Sequence, residues 1–287
     1  MAVNDGRPAP ARAVALSWGR MAAREVQGGA RLLSIYRRLR GARGHAGWWP
    51  GETPFEVCLG AILTQNTSWS NVDKALAVLR KRGRLSYESL RRCRPARLAP
   101  LIRSSGYFNV KARRVHAFLE FLGREYGGRV EAMAAEDAAV LREKLLSVIG
   151  IGRETADSIA LYAAGRPLFV VDAYTRRIFG RLGLLAGDET YDEVQRFFMD
   201  LLPRDAGLYN DYHAQIVLHG KDVCRTVPRC GECVLADLCE RRGVDRVDRL
   251  DRLDRRGLVL KRKHPPPGAH SKAEAPTRAK TQAPRTV

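Results

Sequence analysis

The chain has 287 residues and is 45% hydrophobic, which is enough to bury one large core or two modest ones. No stretch approaches the roughly 18 uncharged apolar residues of a membrane span, and the N-terminus lacks the apolar segment of a secretory signal. These patterns exclude the membrane-spanning and secreted classes, and we expect a cytoplasmic protein. The net charge of +19 favours a polyanionic partner, most commonly a nucleic acid.

This basic charge is not confined to the C-terminal tail. Residues 240–287 hold 14 Lys or Arg against 6 Asp or Glu, so residues 1–239 keep an excess of +11. The tail first repeats an apolar-Asp-Arg unit every three residues, which matches no single helix face, and is then rich in Pro, Ala and Lys. We therefore predict that residues 240–287 are largely disordered.

The predicted elements begin after residue 27. Residues 1–27 mix Pro, Ala, Gly and Arg without sustained periodicity, which predicts a mobile arm. A helical apolar face then follows, made of Leu32, Leu33, Ile35, Tyr36 and Leu39. After a Gly-rich loop at 41–52, the pair Thr53-Pro54 predicts the N-cap and first position of the next helix.

The rest of the chain is also predicted to be helical. Further helical faces lie at Val72–Leu79, Leu98–Ile102, Val115–Leu122, Ala138–Val148, Thr155–Tyr162, Tyr174–Leu182, Tyr191–Leu202 and Tyr212–His219. The one β-like run, Leu168–Val171, is too short to found a sheet. The pattern predicts an all-α fold.

The segment 145–159 reads LLSVIGIGRETADSI and predicts two helices joined by a tight hairpin. Gly150 and Gly152 flank Ile151 and permit positive φ and close approach to another surface. The second helix, starting near Glu154 and Thr155, would present free N–H groups to a phosphate. This arrangement suits sequence-independent DNA binding, and an ordinary turn between two helices is the alternative.

An aspartate follows this hairpin, at the start of the next predicted helix. The run Phe169-Val-Val delivers Asp172 to the start of a basic helix. Asp172 is a candidate catalyst and also a candidate N-cap. The two roles are compatible, because a capping position fixes the side chain.

Four of the six cysteines lie close together near the C-terminus, at Cys224, Cys230, Cys233 and Cys239. In a cytosolic chain such a group favours a metal site over disulfides. Four thiolates can hold either a [4Fe–4S] cluster or a structural zinc ion, and the spacing alone does not distinguish them. Cys58 and Cys93 lie in apolar helical surroundings, which predicts that they pack in the core.

In this order, the hairpin, the aspartate and the four cysteines resemble the endonuclease III group of helix-hairpin-helix (HhH-GPD) DNA glycosylases. The resemblance implies an all-α, two-lobed fold, an iron–sulfur cluster instead of zinc, and base-excision repair on double-stranded DNA with a damaged base. The first cysteine gap is five residues, where bifunctional endonuclease III has six. On this basis we divide the chain into an arm (1–27), a two-lobed core (28–223, hairpin 140–164), an iron–sulfur loop (224–239) and the tail (240–287).

Glu154 departs from the pattern of the bifunctional members. The bifunctional members have a lysine within the pattern G-[VI]-G-x-K-T-A, whereas this chain has Glu154 at the lysine position. A carboxylate cannot form a Schiff base with a sugar. The resemblance therefore implies a monofunctional enzyme, unless Lys144 or Lys221 projects into the pocket. The role of Glu154 itself stays open, because an acid near a helix N-terminus also favours the dipole.

Three further motifs, taken with Glu154, resemble those of the monofunctional 3-methyladenine DNA glycosylases of this group: Trp48-Trp49-Pro50, Leu63-Thr-Gln-Asn-Thr67-Ser-Trp69 and His219-Gly-Lys221. Carried over from that branch, the residues that line the base pocket are Trp48, Trp49, Pro50, Trp69 and Lys221, and Gln65 fills the space of the flipped base. The alternatives are core or interface packing for the tryptophans and completion of a helix dipole for Lys221. Lys111, Arg113 and Arg114 are candidate contacts to the DNA backbone, but for each of them taken singly the prediction is a solvated face.

The alkylated purine implied by this branch fits elementary chemistry. Alkylation at N3 or N7 makes the base cationic, so indole faces attract it and it leaves readily. Asp172 would then stabilise the oxocarbenium ion and orient water. The alternatives are a bifunctional glycosylase/lyase for oxidised pyrimidines and a non-catalytic DNA-binding iron–sulfur protein. We expect a nucleoid-associated monomer without a membrane partner.

Overall fold

Helices account for all regular secondary structure in the described part of the chain. The computed structural model describes residues 11–49 and 51–244, with side chains from residue 27 onward. The α-helices found there are α1 (Ala11–Arg43), α2 (Pro54–Leu63), α3 (Trp69–Lys81), α4 (Tyr87–Arg91), α5 (Pro95–Leu98), α6 (Phe108–Tyr126), α7 (Ala138–Leu146), α8 (Arg153–Ser158), α9 (Ala173–Arg181), α10 (Tyr191–Leu201) and α11 (Ala206–Asp222). Shorter 3₁₀ segments lie at Ala99–Ser105, Val130–Ala135 and Cys230–Glu232, and α8 continues into a π-helical turn at Ile159–Ala163. The prediction of an all-α fold is confirmed.

Polar residues at the helix starts determine where several helices begin. The Thr53 side chain accepts a hydrogen bond from the Glu56 N–H, and Pro54 occupies the first turn of α2, as predicted. Asp137 and Asp205 cap α7 and α11 in the same way. Each cap satisfies an N–H group that has no partner within its own helix.

Two hydrophobic cores divide the described residues into two lobes, as the fold prediction required. The first core is built from α2–α8, and includes Cys58 and Cys93 as predicted. The second is built from α1, α9, α10 and α11. Leu168 belongs to the first core and Phe169 to the second, where its ring stacks on Phe198 at 4.1 Å between centroids. The chain therefore crosses between the lobes immediately before Asp172.

The structure adds a helix within the N-terminal segment. Helix α1 begins at Ala11, inside the segment 1–27 that was predicted to be a mobile arm without sustained periodicity. Ala, Arg, Met and Glu all have high helix propensity, so a helix can extend here without a periodic apolar face. Residues 1–10, Pro50 and 245–287, which include most of the predicted tail, lie outside the described residues.

Smaller differences concern the helix boundaries. The predicted helix at 98–102 is the junction of α5 with a 3₁₀ segment, and α11 begins at Ala206, six residues before its predicted start. The run 168–171 is irregular and forms no strand.

None of the helices among the described residues is long and apolar enough to cross a membrane.

Lys111 is buried, so its predicted place on a solvated face was wrong. Its side chain is 1% exposed, and Nζ donates hydrogen bonds to the carbonyl oxygens of Leu63 (2.8 Å) and Ser105 (2.6 Å). Burial, with a smaller contribution from the charge of Arg114, lowers the pKa of Lys111 to about 8. The prediction failed because the last carbonyls of α2 and of the 3₁₀ segment Ala99–Ser105 replace water as partners of the ammonium group.

Candidate active site and cysteine cavity

Three tryptophans and a tyrosine form one aromatic cluster. The Trp49 ring centroid lies 5.8 Å from that of Trp48, 5.3 Å from Trp69 and 4.9 Å from Tyr162. The ammonium group of Lys221, at the end of α11, lies 5.5 Å from the centre of the Trp48 ring. The structure therefore brings together four of the five residues predicted to line the base pocket, and the fifth, Pro50, lies outside the described residues.

The loop that carries Trp48 and Trp49 is anchored on α11. Asp211 is 2% exposed and accepts hydrogen bonds from the Ala46 N–H (2.9 Å) and the Tyr36 hydroxyl (2.7 Å). One turn further along, Gln215 Nε2 donates to the Gly44 carbonyl at 2.7 Å. These contacts fix the Gly-rich loop, which has little regular structure of its own, against a rigid helix.

Removing the Asp211 anchor is expected to loosen the aromatic cluster. Asp211→Ala leaves the Ala46 N–H and the Tyr36 hydroxyl without their acceptor, which lowers the free energy of unfolding by about 2–3 kcal/mol. Three of the four tryptophans in the chain belong to the cluster, so their fluorescence should shift to longer wavelength. Asp222→Ala is the matched control, because Asp222 pairs with Arg43 at the surface (2.7 Å) and should cost less than about 1 kcal/mol. Equal losses in both variants would contradict the anchoring role.

Asp172 lies at the crossing between the lobes and is the N-cap of α9. Its Oδ1 atom accepts hydrogen bonds from the Thr175 N–H (2.7 Å) and hydroxyl (3.0 Å). Its Oδ2 atom lies 3.5 Å from Nε2 of His213. Burial alone would raise the pKa of Asp172, but His213 and the Thr175 donors more than offset it, so the pKa lies below its ordinary value. The predicted capping role is confirmed, and the carboxylate stays ionised in a largely enclosed place.

Glu154 is electrostatically coupled to Asp172. Loss of hydration, and then the negative charge of Asp172, raise the pKa of Glu154 above its ordinary value although its side chain reaches solvent. Lys144, one of the two lysines considered as substitutes for the missing lysine, instead pairs with Glu136 at 2.8 Å and Glu125 at 3.7 Å. Lys221 does reach the aromatic cluster, so a lysine-dependent step at this residue has to be tested by borohydride trapping.

The predicted hairpin is held closed by contacts to Gln65. Gly150 has a φ of +86°, and a Cβ atom there would lie 2.4 Å from Cγ of Arg114, so both the backbone and the space require glycine. Gln65 Nε2 donates to the Gly150 carbonyl (3.0 Å) and to Thr155 Oγ1 (2.9 Å), and its Oε1 accepts from Arg114. Three of the predicted DNA-binding residues, Gln65, Gly150 and Thr155, therefore contact one another.

The other hairpin residues differ from one another in conformation and exposure. Gly152 has a φ of −94°, which any residue can adopt, and a side chain there would meet open space. Neither the backbone nor the space therefore requires glycine at this position. The Ile151 side chain is buried in the first core, whereas Ile149 is 83% exposed. Arg153 is exposed, and its Nε pairs with Asp192 at 2.8 Å. Ile149, which the sequence reading missed, is thus the apolar side chain that the hairpin presents outward.

The four clustered cysteines surround one cavity. The cavity is partly open to solvent, and Arg181, Arg229 and Arg241 also line it. Among the described residues, no three His, Cys, Asp or Glu side chains converge closely enough to hold a single metal ion. Burial raises the pKa of the Cys233 thiol, and the charges of the other three cysteines add to this. The sulfurs thus line a space instead of meeting at one point.

A model of the HhH-GPD superfamily of base excision DNA repair proteins matches residues 59–204, which is half of the chain. The chain belongs to this superfamily. The match begins inside α2 and ends after α10, so it covers the hairpin, Asp172 and much of both lobes. The family match identifies the protein as a base excision repair DNA glycosylase. The basic charge of the chain agrees with binding to DNA.

The alignments of this HhH-GPD protein with its relatives cover most of each relative's length. A putative DNA repair glycosylase of Methanocaldococcus jannaschii is 44% identical over 209 residues, covering 72% of this chain and 95% of the relative. Endonuclease III of Thermotoga maritima is 33% identical, covering 68% and 87%. Among solved structures, the 3-methyladenine DNA glycosylase MagIII of H. pylori, bound to 1,N6-ethenoadenine, is 31% identical with a TM-score of 0.59, covering 68% and 97%. An endonuclease III–DNA complex shares the fold at 22% identity and a TM-score of 0.65, covering 78% and 98%.

Sequence reasoning missed several residues of the site. Tyr162 and His213 lie on helical apolar faces, where periodicity marks them as core. Asp211 and Gln215 precede the His-Gly-Lys motif on the same helix, and their spacing of four residues was the available signal for a shared polar face. No sequence pattern indicated that this face would hold the tryptophan loop.

Proposed function

We propose that this HhH-GPD protein is a monofunctional DNA N-glycosylase that removes alkylated purines from double-stranded DNA. The proposal is carried by one observation: a cluster of Trp48, Trp49 and Trp69 is linked through Tyr162 and His213 to a largely enclosed, ionised aspartate. In addition, a glutamate stands where a Schiff-base lysine would be required. Such a site can bind a flat, electron-poor base and assist its departure without a covalent step.

The aromatic cluster supports the choice of substrate class. Indole faces attract cations, with roughly 0.5–2 kcal/mol per contact, and an alkylated purine carries a delocalised positive charge. The position of the Lys221 ammonium near Trp48 is consistent with a ring face that favours cations. MagIII, which is 31% identical, was solved with the modified purine 1,N6-ethenoadenine. We assign Trp48, Trp49, Pro50, Trp69 and Lys221 to the pocket of the flipped base.

Asp172 is assigned the central chemical role. As the bond between C1′ and the base nitrogen breaks, its electrons leave with the base and positive charge develops on the sugar, which a fixed carboxylate stabilises. Water then adds to C1′, and its proton passes to Asp172 Oδ2 or to solvent. The lowered pKa of Asp172 keeps the required negative charge in place near neutral pH.

Binding to DNA is assigned to the hairpin and to Gln65. The first turn of α8, with Gly152, Arg153 and Thr155, would present N–H groups to a phosphate, while Gly150 and Ile151 set the turn. Gln65, held at the hairpin by Thr155, would fill the space of the flipped base. We expect the protein to act as a monomer and to associate with the nucleoid.

The cysteine cavity is assigned to a [4Fe–4S] cluster held by Cys224, Cys230, Cys233 and Cys239. A zinc ion needs four sulfurs at about 2.3 Å from one point, which suits these separated thiols less well than a larger cluster does. Arg181 donates to Cys224 Sγ at 3.3 Å and would offset the negative charge of the ligated cluster. When bound, the cluster would tie the C-terminal loop to α9 and α11; we assign it no step in base release.

A lesion panel tests the proposed reaction. Duplexes with one alkylated purine or one oxidised pyrimidine are incubated with the protein, and strand breaks are measured with and without alkali. We expect breaks only at the alkylated purine and only after alkali, and no covalent complex with borohydride. Breaks at oxidised pyrimidines before alkali, with a trapped complex, would support a bifunctional enzyme. Binding to every duplex without any base release would support a non-catalytic protein.

Glu154→Gln is expected to change how stability depends on pH. The folded-state pKa of Glu154 is raised, so its ionised form costs free energy at pH values above that pKa, and this cost disappears below the ordinary value of 4.5. The variant should therefore gain thermal stability relative to the wild type as pH rises from about 4 to 8. Glu143→Gln, on the exposed side of α7, is the control. A stability difference that stays constant across this pH range would show that the pKa of Glu154 is not raised in the folded protein.

A further inference from the structure

A buried tyrosine and a buried histidine stand in line between the aromatic cluster and Asp172. The Tyr162 hydroxyl contacts Nδ1 of His213, and Nε2 of His213 faces Asp172 Oδ2 at 3.5 Å. His213 is 4% exposed, and its Nε2 has no hydrogen-bond partner of normal length among the described residues. Because the Tyr162 ring also packs on Trp49, these groups connect the pocket wall to the proposed catalytic carboxylate.

The tyrosine determines which ring nitrogen of His213 carries hydrogen. Burial, and then the charge of Asp172, raise the pKa of Tyr162 well above its ordinary value, so the phenol keeps its proton. A neutral His213 therefore accepts from this hydroxyl at Nδ1 and has its own hydrogen on Nε2. The opposite tautomer would direct a lone pair at a carboxylate oxygen. A protonated His213 also has a hydrogen on Nε2, so in both favourable states an N–H group points at Asp172.

We infer that His213 is a positioning residue for Asp172, and that Tyr162 fixes the tautomer of His213. The inference rests on the proposed role of Asp172. Thr175 already holds Oδ1 through two hydrogen bonds, so an N–H group directed at Oδ2 fixes the second oxygen. Oδ2 keeps a further lone pair for the sugar or the attacking water. His213 thus both orients the carboxylate and favours its charged form.

Other titratable groups also face Asp172 and set the conditions of the test. His213 faces it from α11, Tyr162 from the π-helical turn and Glu154 from α8. Glu154 opposes ionisation of Asp172, whereas His213 favours it. All variants therefore retain Glu154, so that a change in the pH profile reports the loss of His213 and not a change in the neighbouring carboxylate.

Single-turnover base release from an alkylated duplex is measured against pH for His213→Ala and His213→Gln. We expect His213→Ala to be roughly 10-fold slower or worse, with its acidic limb moved to higher pH and its affinity for an uncleavable abasic analogue unchanged. His213→Gln should recover part of the rate, because its amide can donate to Oδ2, and Tyr162→Phe should be slowed less than His213→Ala. His116→Gln is the control, since His116 contacts the Cys93 carbonyl in the other lobe. A wild-type rate and pH profile in His213→Ala would overturn the inference.

A second measurement needs no substrate. In protein labelled with 15N-histidine, nitrogen–proton correlation spectra identify the protonated ring nitrogen, and His213→Gln assigns the signal among the six histidines. We expect hydrogen on Nε2 in the wild type and a mixture of tautomers in Tyr162→Phe. Hydrogen on Nδ1 alone in the wild type would overturn the inference. If the spectra are as expected but the wild type releases no base, the proposed function fails and the Tyr162–His213 arrangement stands.

Discussion

Asp172→Asn is expected to slow base release by roughly 10²–10³-fold or more, while the affinity for DNA stays nearly unchanged. The charge is lost beside the sugar, where positive charge develops as the base leaves. Asparagine is itself a good N-cap, so α9 should keep its start and the fold should be retained. The measurements are single-turnover release from an alkylated duplex and binding to an uncleavable abasic analogue.

A matched N-cap variant separates charge from structure in this experiment. Asp205 caps α11 by accepting the Leu208 N–H, much as Asp172 accepts the Thr175 N–H. Asp205→Asn should therefore keep a base-release rate close to that of the wild type. A comparable loss of rate in both variants, or a loss of DNA affinity equal to the loss of rate in Asp172→Asn, would contradict the role assigned to Asp172.

Cys233→Ser is expected to remove the bound iron and to destabilise the C-terminal loop. Cys233 lines the cysteine cavity, and its Sγ atom also lies 3.5 Å from Nε2 of His219 on α11. Binding of a metal group to a site that exists only in the folded state contributes directly to stability. The variant should lose iron and visible absorbance, and should unfold at a lower temperature than the wild type.

Cys93→Ala is the control for this second experiment. Cys93 is buried in the first core and is not one of the four clustered cysteines, so its variant should retain iron and lose only about 1 kcal/mol of stability. One zinc ion per chain in anaerobically purified wild type, with no iron, would contradict the assigned cluster. Unchanged iron in Cys233→Ser would exclude Cys233 as a ligand.

The sequence predicted the local features of this protein better than its long-range contacts. The cap at Thr53, the hairpin at Gly150 and the buried Cys58 all depend on neighbouring residues or on helical periodicity, and all are found as predicted. The capping role of Asp172 was predicted for the same reason. Each of these features can be argued from a window of a few residues.

The residues that complete the site depend on contacts between distant parts of the chain. His213 is 41 positions from Asp172, and Asp211 is 165 positions from Ala46, so no local pattern relates them. Lys111 was misread because a surface lysine and a lysine that binds backbone carbonyls look alike on a helical face. The sequence indicated candidate site residues, and the structure adds the residues that hold them in place.

The identity of the released base tests the proposed function most directly. Duplex DNA treated with a methylating agent is incubated with the protein, and the bases that enter solution are identified by mass spectrometry, with strand integrity followed in the same sample. We expect time-dependent release of 3-methyladenine, intact strands until alkali is added, and no release by Asp172→Asn. Release of no methylated purine, or of oxidised pyrimidines with immediate strand cleavage, would contradict the proposal.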